Sequence, residues 1–320
     1  MPFLSKYAAE NTSFKAAFSA APSTWMSYTS MFLGKPTKDI YSGEFEKSFS
    51  LACEKDKIIP QFFDSSIMYL DRYKKSSVSF GTLGTKFSES HIIDEGLPED
   101  TESLIVKTIP FAWDYCFRHI GYLHHLPHDT WGEKFLEKES DLERVCLMID
   151  NHIKALITKT QPKTVIIHAD HGSMYEVPKG TGNWGHGGLL YRENTHTPLI
   201  ISSKESREVK KMVQLPDLHV LLADMAGEKV KGRNILTMSE DIDDDEMFFI
   251  ENTWRHQKTI KLPQNVTTRM ISVQNQYWKT IYNEGFDTFE YFHLIWGWEE
   301  KKANRGIWHA KQEELIKESL

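Results

Sequence analysis

Short aliphatic runs alternate with amphipathic stretches along most of this chain. Phe3, Leu4, Tyr7 and Ala8 recur at helical spacing and run into Thr12-Ser13-Phe14, which predicts a helix followed by a short strand within residues 2–18. Pro22 opens a polar turn at Ser23-Thr24. Met26 to Phe32 then has helical character and stops at Gly34-Lys35-Pro36. Ile58 to Tyr73 reads as a helix, Val78 to Leu83 as a strand, and Ile105 to Phe117 as the carrier of another buried strand. From Leu136 to Thr158, apolar Leu142, Val145, Ile149, Ile153, Leu156 and Ile157 mark an amphipathic helix. It leads into the β-branched run Val165-Ile166-Ile167, and a second apolar run follows at Pro198-Leu199-Ile200-Ile201. A further helix is expected around Asp217 to Leu222. Beyond the acidic run Glu240 to Glu246, which reads as a solvated loop, Met247–Asn252, Thr268–Val273, Tyr277–Tyr282 and Phe289–Leu294 read as strands joined by polar turns.

Helix-to-strand order repeated over about 230 residues predicts an α/β fold, a mostly parallel sheet sandwiched by helices. The later strands predict a small C-terminal antiparallel α+β subdomain, giving domains at 1–236 and 247–320. At 320 residues, with 40% apolar and 26% charged positions, the chain has the make-up of a globular protein that can bury one large core, or one core plus a small satellite domain, and two units are expected. No apolar run approaches the ~20 residues of a membrane span. A net charge of −7 and the lack of any Lys/Arg-rich block argue against nucleic acid as a partner. Cys53, Cys116 and Cys146 are odd in number and widely spaced, so neither a disulfide framework nor a zinc knuckle is signalled. Polar Glu10, Asn11 and Thr12 interrupt any secretory-signal core. The chain as read is cytoplasmic, with an upstream signal or membrane segment left open.

The candidate chemistry gathers after Val165-Ile166-Ile167. That run delivers Asp170 and His171 side by side at a strand end, where open α/β sheets place their sites, and Gly172 lets the backbone turn beside them. A carboxylate next to an imidazole, followed by the glycine-flanked His186, points to a divalent-metal site facing an anionic substrate. Such a site needs a nucleophile, and Thr24 is the best candidate. It follows Pro22 at the start of a helix, where free N–H groups and the helix dipole favour a bound anion. A threonine hydroxyl needs metal coordination or a neighbouring base to attack. The simpler alternative is that Ser23 or Thr24 only caps that helix.

Together these segments resemble the sulfatase-like branch of the alkaline phosphatase superfamily over nearly the whole chain. Thr24-Trp25-Met26-Ser27-Tyr28 through Phe32-Leu33-Gly34 is similar to the helix that opens with the family's nucleophile motif, and the shared serine and glycine put Thr24 at the nucleophile position. Asp170-His171-Gly172 matches the late Asp-[His/Asn]-Gly motif. His186, in Trp184-Gly185-His186-Gly187, matches the Lys or His that steadies the substrate anion. Tyr122 to His128 resembles the family's His-x-x-x-Pro-His segment with one residue fewer, so His124 is the implied anion ligand with His125 its close rival. The resemblance implies one divalent ion, calcium, magnesium, manganese or zinc, held by Asp170, His171 and Thr24. The implied substrate is a small-molecule or glycan- or lipid-linked anionic ester.

Two departures shape the expected chemistry. The family begins with an apolar strand ending in metal-binding aspartates, and Pro2-Phe3-Leu4 falls just past it, so a strand and connection of roughly 20–40 residues is expected upstream. Thr24 also cannot become the formylglycine aldehyde of the family's sulfatases, and Met26 and Tyr28 replace its proline and arginine. The expectation is therefore a sulfatase-family hydrolase or transferase acting on phosphate, phosphonate or sulfate esters through Thr24, with phosphorus esters favoured. The rival readings are a non-catalytic relative of the same fold and a membrane-anchored transferase whose spans lie upstream.

Overall fold

The three-residue strand expected at Thr12-Ser13-Phe14 lies inside a sheet, between partners from the far side of position 198. The computed structural model describes residues 1–23, 26, 27, 30, 31, 34–40, 110, 111, 115, 116, 146, 147, 150, 151, 153–155, 157, 158, 164–172, 188–225, 229–239, 241–252, 269–295, 297 and 299–320. In chain order its named elements are α1 (Pro2–Glu10), β1 (Thr12–Phe14), β2 (Ala17–Phe18), α2 (Thr37–Ile40), β3 (Pro110–Phe111), β4 (Tyr115–Cys116), β5 (Ile166–His168), α3 (Arg192–Thr195), β6 (Leu199–Ile201), β7 (Arg207–Val209), β8 (Val213–Gln214), α4 (Leu218–Met225), β9 (Phe248–Glu251), β10 (Met270–Gln274), β11 (Trp278–Asn283), β12 (Thr288–Ile295), β13 (Glu299–Lys302) and α5 (Ile307–Ser319). The elements expected at Ile58–Tyr73 and Val78–Leu83 lie outside the described residues.

The chain divides into two compact units. One comprises Met1–Asn11, Ser50–Val165 and Ser202–Lys204. In it, α1 starts with Pro2 at its first turn and has no side-chain cap from Met1. Asp150, only 1% exposed, supplies one from a distant helical stretch, accepting the Phe3 and Leu4 N–H groups at 2.8 Å each. At the other end Asn11 Nδ2 donates to the Tyr7 carbonyl at 2.9 Å, and Asn11 Oδ1 accepts the Ser203 N–H at 3.0 Å.

The second unit comprises Thr12–Phe49, Ile166–Ile201 and Glu205–Leu320. Its central sheet has the order β5-β6-β1-β7. β1 pairs antiparallel with β6 and parallel with β7, and β6 pairs antiparallel with β5. This described sheet is mixed, where a mostly parallel one was expected. The reason is an insertion: β6 and β7 would make a hairpin, and β1 slots between its arms. Ala16, Ala17, Ala20 and Ala21 are all fully buried alongside it, and their small side chains let β2 lie against β8. Met26, Ser27, Ser30 and Met31 are helical as expected. Gly34, at φ +63°, ends that helix, and the Lys35 N–H returns to the Ser30 carbonyl at 3.2 Å in a Schellman pattern.

The C-terminal strands form an antiparallel five-stranded sheet of order β13-β12-β11-β10-β9. Both of its faces are covered, so alternate residues enter different cores. Phe248, Ile250, Met270, Ile281, Phe292 and Leu294 pack with Ala16, Phe18, Leu190 and Met212. Phe249, Ile271, Val273 and Tyr282 pack under Ile316 of α5. Burying one such side chain contributes roughly 1.5–3 kcal/mol. β13 and α5 escape the hydrophobic pattern because β13 is Glu-Glu-Lys-Lys and α5 buries His309, Gln312 and Glu313 beside Ile316. Those polar groups are paired: Gln312 binds Thr280 Oγ1 at 2.7 Å and the Trp278 carbonyl at 2.9 Å, and Glu313 accepts from Tyr291 and Arg305. Among the described residues no helix is long and apolar enough to cross a membrane.

Two stability outcomes follow. Asp150→Ala removes both N-terminal acceptors of α1 and should cost about 2–4 kcal/mol in urea unfolding, with the amides of residues 3–10 losing exchange protection first. Burial also holds the His196 and His309 imidazoles below the usual histidine range. The unfolded chain therefore takes up these protons more readily than the fold, and stability should fall as pH drops below about 6.5. Urea melts from about pH 7.5 to pH 5 check this sign, and His196→Gln, which keeps an N–H for the Lys15 carbonyl, should flatten the slope.

Candidate functional site

The site is built where two strands end together. β1 and β5 both run antiparallel to β6, so their carboxyl ends lie at the same end of the sheet. From β5 the chain passes through Ala169 to Asp170, His171 and Gly172. From β1 it passes through β2 to Ser23, whose carbonyl accepts the Ser27 N–H at 2.9 Å and so opens the next helix. The two routes meet where Ser27 Oγ, fully buried, donates to the Asp170 carbonyl across 143 positions of sequence.

The turn after β5 is fixed by its glycine. The Gly172 N–H donates to the Asn194 carbonyl at 3.0 Å, and a Cβ at position 172 would stand 2.0 Å from the Glu193 carbonyl oxygen. No side chain fits there, so α3 backs the turn directly through main-chain contact. Asn194, 1% exposed, is itself tied by Nδ2 to the Leu189 carbonyl at 3.0 Å.

His171 is buried at 7% exposure. Its Nδ1 lies 2.7 Å from the Gly172 carbonyl, which can only accept, so Nδ1 carries the proton in that contact. In the neutral ring the Nε2 lone pair then faces Asp170 Oδ2, 3.5 Å away. Ligands held about 2.0–2.2 Å from a tetrahedral divalent ion stand roughly 3.4 Å apart, so this carboxylate and imidazole fit as two neighbouring ligands. The backbone bond on Nδ1 is the kind of partner that orients metal-bound histidines. Among the described residues no third His, Cys, Asp or Glu joins them to complete a cluster.

The structure thus brings Asp170 and His171 together at the expected strand end. Thr24, His124 and His186 lie outside the described residues. Sequence reasoning used Ser27 only to align a motif, placed Glu193 only in a segment similar to the family's strand beyond the site, and passed over Asn194. The signal for the last two was Gly172 itself, because a glycine after two polar site residues marks a close backbone approach.

No protein-family model matches the sequence, and comparison with curated proteins gives no match. Solved structures do match, over nearly the full chain. A protein in the alkaline phosphatase superfamily from Vibrio parahaemolyticus is 13% identical with a TM-score of 0.59, covering 98% of this chain and 79% of that one. A 2-O GAG sulfatase is 12% identical with a TM-score of 0.57, covering 99% and 84%. This chain has the sulfatase-like fold of the alkaline phosphatase superfamily. The phosphonate monoester hydrolase of Agrobacterium radiobacter shares it, at 10% identity and a TM-score of 0.56, covering all of this chain and 91% of that one. Similarity at these identities is a matter of fold, and the fold puts Asp170 and His171 where its β-strand ends converge.

Gly172→Ala tests the turn. The new methyl collides with a backbone oxygen that cannot swing aside, so destabilisation of about 2–4 kcal/mol is expected by urea unfolding. A Gly172→Ala protein as stable as the wild type would show that the turn can open without cost.

Proposed function

We propose that this protein is a metal-dependent hydrolase or transferase of the sulfatase type, acting on phosphorus esters, phosphate or phosphonate, in preference to sulfate esters. One divalent ion, calcium, magnesium, manganese or zinc, is held by Asp170 and His171 together with Thr24. When bound, such an ion supplies positive charge that favours the ionised form of a coordinated hydroxyl. Thr24 Oγ attacks phosphorus, a phospho-threonine forms, and the P–O bond to the ester alcohol breaks. The leaving oxygen takes up a proton as it departs. Water or an acceptor alcohol then attacks the phospho-threonine and restores Thr24. His186 and His124 neutralise the non-bridging oxygens while charge builds on them. In this reading residues 1–236 carry the chemistry and 247–320 support it, and the substrate is a small-molecule or glycan- or lipid-linked ester.

One observation carries the proposal. The Ser27–Asp170 hydrogen bond joins the helix that begins beside Thr24 in sequence to the carboxylate–imidazole pair. Two motifs over a hundred residues apart meeting at one sheet end supports a shared site. The preference for phosphorus rests on Thr24, which cannot supply the aldehyde of formylglycine sulfatases.

The test is turnover of p-nitrophenyl phosphate, bis-p-nitrophenyl phosphate, p-nitrophenyl phenylphosphonate and p-nitrophenyl sulfate with each of the four metals. Turnover of a phosphorus ester should vanish with EDTA, and Thr24→Ala should lower kcat by about 10³-fold or more. Turnover of the sulfate ester alone overturns the preference for phosphorus. Full activity in Thr24→Ala removes the nucleophile, and no turnover of any ester with any metal leaves the non-catalytic relative.

A further inference from the structure

The short helix that backs Gly172 is itself gripped by a buried ion pair that the proposed chemistry does not use. Lys279 on β11 is completely buried. Its Nζ donates to the Leu190 carbonyl at 2.5 Å and to Glu300 Oε1 at 2.6 Å. Glu300 comes from the charged edge strand β13 and is 9% exposed in its side chain. The pair therefore takes hold of a carbonyl just before α3. Two more bonds grip the same segment: Asn252 Nδ2 donates to the Gly188 carbonyl at 2.7 Å, and Tyr191 Oη donates to Glu290 Oε1 at 2.9 Å.

As a device for holding the two sheets together, this arrangement is a poor choice. Burial pushes the Glu300 carboxyl up, against the pull of the Lys279 ammonium. Apolar side chains of similar volume would pack the same interior at no loss of stability. What apolar packing cannot do is fix a main-chain segment in direction and register, because only hydrogen bonds are directional. The gripped segment runs from Gly188 to Tyr191 and begins two residues after His186 in sequence. It continues into Glu193 and Asn194, whose carbonyls shape the Gly172 turn.

We infer that Lys279 and Glu300 are positioning residues, through which the C-terminal sheet sets the Asp170–His171 turn and the segment that follows His186. This rests on the function proposed above. The pair touches neither substrate nor the reacting atoms and acts through α3.

The test is the double variant Lys279→Met/Glu300→Leu in the full chain. Removing both charges leaves no unpaired ion, so the thermal midpoint should stay at or above the wild-type value. Amide exchange in residues 170–172 and 188–195 should nevertheless rise by about tenfold or more while β10 and β11 keep their protection. On whichever ester the wild type turns over, kcat should fall about 10–100-fold with KM little changed, as expected for loss of alignment. Wild-type exchange at 170–172 and 188–195 in the folded variant overturns the inference, as does unchanged kcat. Should the double variant not fold, Glu300→Gln, which keeps the volume and drops the charge, is read by the same exchange criterion. If the wild type turns over no ester, the proposed chemistry fails and the exchange measurement alone decides the positioning role.

Discussion

The site depends on a turn that closes only because position 172 has no side chain. With hydrogen in place of a methyl, the Glu193 carbonyl reaches the main chain of residue 172, and the Asn194 carbonyl takes its N–H. Ser27 holds the same turn by the Asp170 carbonyl. Main-chain groups carry the mechanical load and hold the backbone of Asp170 and His171 still. Placing a site on rigid main chain in this way is the usual requirement for catalysis by alignment.

The C-terminal sheet extends that rigidity. Its strands are buried on both faces, one toward Phe18, Leu190 and Met212 and the other toward α5. Apolar burial supplies cohesion, and the polar residues embedded within it supply direction. Lys279 and Asn252 both end on main-chain carbonyls, those of Leu190 and Gly188, and Glu300 holds Lys279 in place. A sheet that looks like an appendage in sequence order thus shares its interior with the strand that leads toward Ser27.

Much of this architecture was legible in the residues. Helical spacing followed by Thr12-Ser13-Phe14 located α1 and β1, Gly34 located a helix stop, and Val165-Ile166-Ile167 located β5 with Asp170 and His171 at its end. Four C-terminal strands followed from their apolar runs. The misses have physical causes. β7 is Arg-Glu-Val and β8 is Val-Gln, so neither carries the apolar run that marked β5 and β6. β13 is held by its partner strand and by Lys279, so its four charges carried no strand signal. α5 buries polar atoms that are satisfied only in three dimensions, and therefore looked solvated. Among the described strands the pairing is mixed, which alternation of helices and strands does not foretell because it says nothing about β1 entering between β6 and β7. Asp170 and His171 were readable because they are neighbours in sequence. Ser27, Glu193 and Asn194 act through main-chain contacts, which leave little trace in residue identity.

That placement of β1 governs how the protein is made. Thr12 pairs with Ile201 on one side and Arg207 on the other, partners translated about 190 residues later. At ordinary ribosome speeds β1 emerges roughly ten to forty seconds before β6 and β7 exist to receive it. Throughout that interval Phe14, the alanines and Phe18 are uncovered on a nascent chain. Assembly of the central sheet is thus a late, long-range event, and the newborn polypeptide must be shielded from its neighbours until β6 and β7 have been synthesised.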